Sequence, residues 1–262
     1  MTNPYAILRK KLGRPLFVPF TVLGDPNPSE SRIVIKTLIE NGADALELGL
    51  PFSDPPADGP VIQAADVRAL AAGTTVDDCF AIIREICGPK ARAENIPVGL
   101  LVYFNLVLQR GIEKFYADCA VAGVASVLIA DLPLEHAHEV RAAATANGIL
   151  QIFLVSDVTT DERLDAICKV AEGYLYLVSY LGVTGVSDAV RGGHIQKLVE
   201  RCRARTELPL IVGFGIQNPA DAETVINAGA DGVIVGSRIV REIPHLDRIA
   251  SVTKEFSAVC RQ

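Results

Sequence analysis

The sequence lacks the features that would send it to a nucleic acid, a membrane or a metal. Its 25 basic and 31 acidic residues are scattered without a polybasic run, and the net charge is -6. That balance disfavours nucleic acid or an anionic lipid surface as a partner. Apolar stretches such as "AVAGVASVLIAD" stop at a charge short of the roughly 18 residues that a bilayer span requires. The start, "MTNPYAILRKKLG", lacks the apolar middle of a signal peptide, so the expected location is the cytoplasm. Six cysteines sit singly in apolar segments with no C-x-x-C spacing, which argues for free thiols over disulfides or a zinc site. The four histidines, His136, His138, His194 and His245, end no strand-like run. His136 and His138 have the pattern of a solvated helix start, and no metal is expected. No lysine lies in an apolar run where it could form a Schiff base.

What the chain has in abundance is apolar residues. Half of the 262 residues are hydrophobic and the mean hydropathy is +0.31, enough for a large core. Eight β-branched runs recur: "LFVPFTVLGD", "ADALELGLP", "PVGLLVYFN", "SVLIADLP", "LQIFLVSD", "YLYLVSY", "PLIVGFG" and "DGVIVGS". Each is nearly continuous in apolar character, the pattern of parallel strands covered on both faces. Helical segments alternate with them, among them "ESRIVIKTLIENG", "GIEKFYADCAVAG" and "HIQKLVERCRA". A doubly wound sheet would carry a Gly-rich dinucleotide fingerprint after its first strand, and none is present. The expected fold is therefore α/β, a single-domain (β/α)8 barrel over residues 1–262 with an extra N-terminal helix in "NPYAILRKKLG". Chemistry in such a barrel belongs to the C-terminal ends of the strands.

Two carboxylates stand out there. Alternation in "DALELGLP" turns Ala45, Glu47 and Gly49 toward the barrel interior. Glu47 could be one half of a structural ion pair, but none of the eight runs holds a Lys or Arg to complete it. Burial without a basic neighbour raises a carboxyl pKa toward that of a working acid or base. Asp58, like Asp54, lies in "SDPPADGP", where Asp before Pro or Gly also serves as a turn former. Prolines 51, 55, 56 and 60 stiffen this loop, which suits a carboxylate held over a site.

Glycine loops follow the last three runs: "GVTG" at 182–185, "GFG" at 213–215 and "GS" at 236–237. Glycines there let backbone N–H groups approach a phosphate closely. Phe20, Leu101, Tyr103, Leu128, Leu154, Tyr176 and Phe214 could line a flat apolar slot, although such residues fill cores by default.

The motifs "PFTVLGDP", "GADALELGLPFSDPPADGP.IQ", "GLLVYFN", "LIADLPLE", "GVTG", "GFGI" and "VGSRIV", in this order and spacing, resemble the alpha subunit of tryptophan synthase over essentially the whole chain. The resemblance implies a TIM barrel that cleaves indole-3-glycerol phosphate to indole and glyceraldehyde 3-phosphate. It implies a tryptophan synthase beta subunit as partner in an alpha2beta2 heterotetramer, with pyridoxal phosphate on that partner and no cofactor in this chain. By the same resemblance Glu47 and Asp58 are the catalytic acids. Gly185, Phe214, Gly215, Gly236 and Ser237 hold the phosphate, Phe20, Leu101, Leu128, Tyr176 and Phe214 enclose the indole, and Asp131 and Thr184 support Asp58. The strip 51–54 and the loop 182–193 match segments that close over the substrate and respond to the partner. The chain departs from the family at Pro56, Val61, Tyr180 and "VSDAVRGGH", all in or beside those loops. Two other readings stay open: a weakly active or inactive alpha-type subunit acting mainly as an allosteric activator of the beta subunit, and a barrel isomerase of another phosphorylated sugar.

Overall fold

The computed structural model describes residues 2–88, 96–178 and 193–262. Eight short parallel strands close on themselves in sequence order. They are β1 (Leu16–Val22), β2 (Leu46–Gly49), β3 (Val98–Val102), β4 (Ser126–Ile129), β5 (Leu150–Ser156), β6 (Leu175–Val178), β7 (Leu210–Gly213) and β8 (Gly232–Val235). Each falls inside one of the eight apolar runs, and nearly all of their residues are buried because helices cover the outside and side chains fill the inside.

Helix α1 (Pro4–Leu12) precedes the barrel, with the Asn3 side chain accepting from the N–H groups of Tyr5 and Ala6 and Gly13 closing it at φ 66. After β1 comes α2 (Pro28–Glu40), capped by Asn27. Two helices, α3 (Pro60–Ala71) and α4 (Val76–Cys87), follow β2. The second begins in a reciprocal cap between Thr75 and Asp78. Helices α5 (Phe104–Arg110) and α6 (Ile112–Ala122) follow β3, α7 (His138–Ala146) follows β4, and α8 (Asp161–Cys168) follows β5. Helices α9 (His194–Arg203), α10 (Pro219–Asn227), α11 (Ser237–Val240) and α12 (Leu246–Cys260) complete the outer layer. None of the described helices is long and apolar enough to cross a membrane. All six cysteines are free, and five of them are buried.

Register decides what faces the interior. Phe20 pairs with Glu47, and Glu47 pairs with Gly99, so the glutamate lies between a ring and a residue without a side chain. A Cβ at Gly99 would meet Ser126 Oγ at 2.9 Å and Tyr5 Oη at 3.2 Å, so glycine leaves room for those two hydroxyls beside Glu47. They bond to each other at 2.7 Å, which ties α1 into the base of the barrel.

At the N-terminal rim Asp44 and Asp231 are each met by a guanidinium. Arg14 grips Asp44 with two bonds of 2.8 and 2.7 Å, and Asp44 also accepts the Phe17 N–H. Asp231, just before β8, takes Arg9 at 2.5 Å, Arg203, and the Leu210 N–H at 2.9 Å. These contacts join α1, α9, β7 and β8. Asp231→Ala is expected to lower the unfolding free energy by about 2 kcal/mol while leaving cavity chemistry alone, because both arginines can turn to water but the Leu210 N–H is orphaned. Urea unfolding monitored by circular dichroism measures it.

Candidate active site

Strand β2 puts Glu47 into the barrel core, 2% exposed. The hydroxyl of Tyr174 donates to Oε1 at 3.4 Å, and Oε2 has no hydrogen-bond partner among the described residues. No arginine or lysine reaches it in an ion pair among those residues. Burial pushes its pKa up to about 8, the Tyr174 hydrogen bond pulls the other way, and the charge of Asp58 adds to the rise. Glu47 therefore carries a proton at neutral pH and can give it up within the ordinary working range.

Asp58 arrives from the proline-stiffened loop after β2, immediately before the Gly59 cap of α3. It is 7% exposed, and Tyr103 Oη donates to its Oδ2 at 2.8 Å. Burial raises its pKa and the Tyr103 hydrogen bond opposes the rise. The loop is built onto the same tyrosine: Ala57 N–H donates to Tyr103 Oη at 3.3 Å, and the Phe52 ring stacks on the Tyr103 ring at 5.3 Å. Tyr103 is thus a positioning donor as well as part of the apolar wall.

Both carboxylates open into one cavity that encloses about 420 Å³ out to its mouth. Phe20, Leu101, Tyr176, Ile62 and Ile234 form its apolar walls, and Phe214, Gly215, Ile216, Gly236 and Ser237 form the far side. Phe214 and Gly215 both adopt positive φ, 69° and 76°, which bends the chain sharply after β7. Gly236 caps α11 and Ser237 begins it, 6% exposed. A Cβ at Gly236 would lie 3.3 Å from the Phe20 ring, so the backbone there approaches the wall closely.

Nine of the residues expected from sequence meet in this cavity: Glu47, Asp58, Phe20, Leu101, Tyr176, Phe214, Gly215, Gly236 and Ser237. Leu128 lines a neighbouring cavity between β4, β5 and α8 instead. The ladder between β4 and β5 ends at Leu128 and Ile152, and that cavity is lined by residues of both segments beyond this point. Asp131 is exposed and lines the same second cavity, where its Oδ1 accepts the Phe104 N–H at 2.7 Å. Gly185 and Thr184 lie outside the described residues, as does Tyr180. The described residues include no cluster of three side chains able to hold a metal ion.

Sequence reasoning missed Tyr174 and the three isoleucines, 62, 216 and 234. The signal for Tyr174 was present, since it stands two residues before Tyr176 in "YLYLV" and so shares the inward face. Its ring packs edge-on against Tyr5 at 4.9 Å and lies 6.5 Å from the Tyr176 ring. Burial, with the charge of Glu47 next, holds the Tyr174 and Tyr176 hydroxyls firmly protonated.

The site is thus two acids facing a glycine-edged apolar cavity at the strand ends of a barrel. The family model described as tryptophan synthase alpha chain matches residues 7–262. This chain belongs to the tryptophan synthase alpha family. The alpha chain of Methanoregula boonei is 50% identical over 230 residues, covering 88% of this chain and 85% of that one. That of Vibrio cholerae is 46% identical over 259 residues, covering 97% and 95%. A structure of Mycobacterium tuberculosis tryptophan synthase superposes with a TM-score of 0.90 at 32% identity, covering 99% and 97% of the two chains. The alpha subunit of Legionella pneumophila superposes with a TM-score of 0.88 at 33% identity, covering 99% of each. Tryptophan synthase alpha chains are carbon–carbon lyases, and the reaction of this one is retro-aldol cleavage of indole-3-glycerol phosphate to indole and glyceraldehyde 3-phosphate.

The raised proton affinity of Glu47 has a consequence for stability. The fold favours the protonated carboxyl, so stability is greatest below the ordinary value of 4.5 and is lost as pH climbs through about 8. Chemical denaturation of Glu47→Gln beside the wild type should show a difference that grows in favour of the variant by on the order of 5 kcal/mol across that interval. Parallel curves would mean that Glu47 ionises without cost.

Proposed function

We propose that Glu47 and Asp58 divide the chemistry of the cleavage between them. A protonated Glu47 delivers its proton to C3 of the indole, which places positive charge on the ring nitrogen. Ionised Asp58 stabilises that charge. The carboxylate left on Glu47 then takes the proton of the glycerol hydroxyl next to the ring. As the hydroxyl becomes an aldehyde, the carbon–carbon bond breaks and its electron pair restores the indole. The proton lent to C3 is thereby replaced, and Glu47 ends as it began.

The observation that carries this assignment is Glu47 with a pKa of about 8, no cation beside it among the described residues, in one cavity with Asp58. The two environments separate the two carboxyls: a fully buried acid on a strand, and an acid on a loop that accepts a 2.8 Å hydrogen bond. The apolar walls suit a flat ring, and Gly215, Gly236 and Ser237 at the far side suit a phosphate approached by backbone N–H groups. Gly185 and Thr184 belong to the same assignment through the family motif. The chain functions as one barrel domain in the cytoplasm, in complex with a beta subunit that carries pyridoxal phosphate and receives the indole, as an alpha2beta2 assembly. A tryptophan synthase structure among the close structural neighbours supports this partner. With both acids in place, nothing among the described residues favours a subunit that only activates its partner.

Purified chain incubated with indole-3-glycerol phosphate, alone and with a beta subunit, should release indole in both cases and faster in the second. Glu47→Gln should lower the cleavage kcat by roughly 10³-fold while still stimulating the beta reaction from indole and serine. Indole release by the variant at the wild-type rate would remove Glu47 from the mechanism.

A further inference from the structure

One buried acid near the cavity has no part in the cleavage described above. Helix α3 turns Ile62, Ala65, Asp66 and Ala69 inward, the spacing of an apolar stripe, so a carboxylate occupies a core position. Asp66 is 4% exposed. Its Oδ1 accepts the Phe52 N–H at 3.4 Å, and its Oδ2 has no hydrogen-bond partner among the described residues. A buried acid left half-satisfied costs stability, and such sites persist where they serve a function.

The charges around it are set by the elements packed on α3. Asp58 precedes the helix. Asp25, after β1, is fully buried and accepts from Arg68 Nε and Nη2 at 2.7 and 2.8 Å, so that cation is committed elsewhere. Thr21 of β1 contributes a buried hydroxyl. Helix α11 brings Arg238, paired with Glu242, and Arg241 borders a groove on the other face of α3 with Val61, Ala64 and Arg68. Asp66 is thus surrounded by Asp58 and Asp25, with no ion pair of its own among the described residues.

A short relay leads from it to the reaction. The Phe52 backbone is held by Asp66, the Phe52 ring stacks on Tyr103, and the Tyr103 hydroxyl holds Asp58. We propose that Asp66 is a positioning residue for the cleavage, one that anchors the Asp58 loop through Phe52 and whose charge tunes the field at the Asp58 carboxylate. The inference rests on the role assigned to Asp58 above.

Burial first, and the charge of Asp58 second, push the Asp66 pKa up to about 7. When ionised, Asp66 grips the Phe52 N–H as a charge-assisted acceptor and adds negative potential where the indole nitrogen becomes positive. When protonated it does neither. Cleavage should therefore rise as pH passes through about 7 and fall as Glu47 loses its proton near 8.

The test is steady-state cleavage of indole-3-glycerol phosphate by the full chain, wild type, Asp66→Asn, Asp66→Ser and Asp66→Glu, from about pH 5 to about pH 10. Asn and Ser should move the rising limb down by about one pH unit or more and lower the plateau kcat roughly 10-fold, with KM changed less than kcat and the falling limb in place. Glu should restore a rising limb near that of the wild type. Thermal melting at pH 8 should show the Asn and Ser variants at least as stable as the wild type, since each removes a buried charge. A rising limb that stays put, or two limbs scaled down together with a lower melting temperature, would reduce Asp66 to a packing residue and overturn the inference. Failure of the wild type itself to release indole would instead defeat the assignment of the whole cavity, and this inference with it.

Discussion

The carboxyl of Glu47 sits in the interior of a closed barrel with one long hydrogen bond and no cation among the described residues, and the reactivity of the site follows from that isolation. In water a glutamate is an anion at neutral pH and a poor acid. Inside this barrel the anion has lost its hydration and gained no counter-ion among the described residues, so the proton stays on until the solution is mildly alkaline. The same residue can then act as acid and base within one turnover, because the cost of either protonation state is small near neutrality. An arginine in reach would hold the carboxylate charged and end its usefulness as an acid.

The buried acids of the barrel are met in two different ways. Asp44 and Asp231 at the N-terminal rim are met by Arg14, Arg9 and Arg203, and those contacts lock α1 and α9 to the strands. At the other end Asp25 is likewise gripped by Arg68, whereas Glu47, Asp58 and Asp66 have tyrosine hydroxyls or backbone N–H groups as partners. A neutral donor steadies a carboxylate without fixing its charge, which keeps the group titratable. Ion pairs hold the acids that join elements, and the three acids at and beside the cavity are left without one among the described residues. Two local features make the second arrangement fit. Gly99, beside Glu47 in register, leaves room for the Tyr5 and Ser126 hydroxyls, and the prolines from Pro51 to Pro60 limit the wandering of the loop that carries Asp58.

Much of this was legible before any coordinates. The eight strands announce themselves because a parallel strand buried on both faces is apolar from end to end, and the inward turn of Glu47 follows from alternation in "DALELGLP". The cavity gathers residues from β1, β2, β3, β6 and β8 and from the loop after β7, as a strand-end site should. What sequence could not supply were contacts across long separations. Tyr174 reaches Glu47 over 127 positions, a match that depends on closure of the whole ring. Tyr103 had the look of an apolar wall, and only the path of the 51–58 loop gives its hydroxyl an acid to hold. Leu128 points toward a second cavity because pairing between β4 and β5 stops beside it, and ladder ends leave little mark on sequence. Asp66 interrupts the apolar stripe of α3, which hides both the helix and the buried acid.

The central claim concerns a single proton, and it can be observed directly. With glutamate labelled by 13C at the side-chain carboxyl, the Glu47 resonance can be assigned by its loss in a Glu47→Gln sample and followed across pH in the substrate-free chain. The account predicts a carboxyl that titrates with a midpoint near 8. A midpoint near the ordinary 4.5 would contradict it, because a glutamate already ionised at neutral pH has no proton to give to the indole ring.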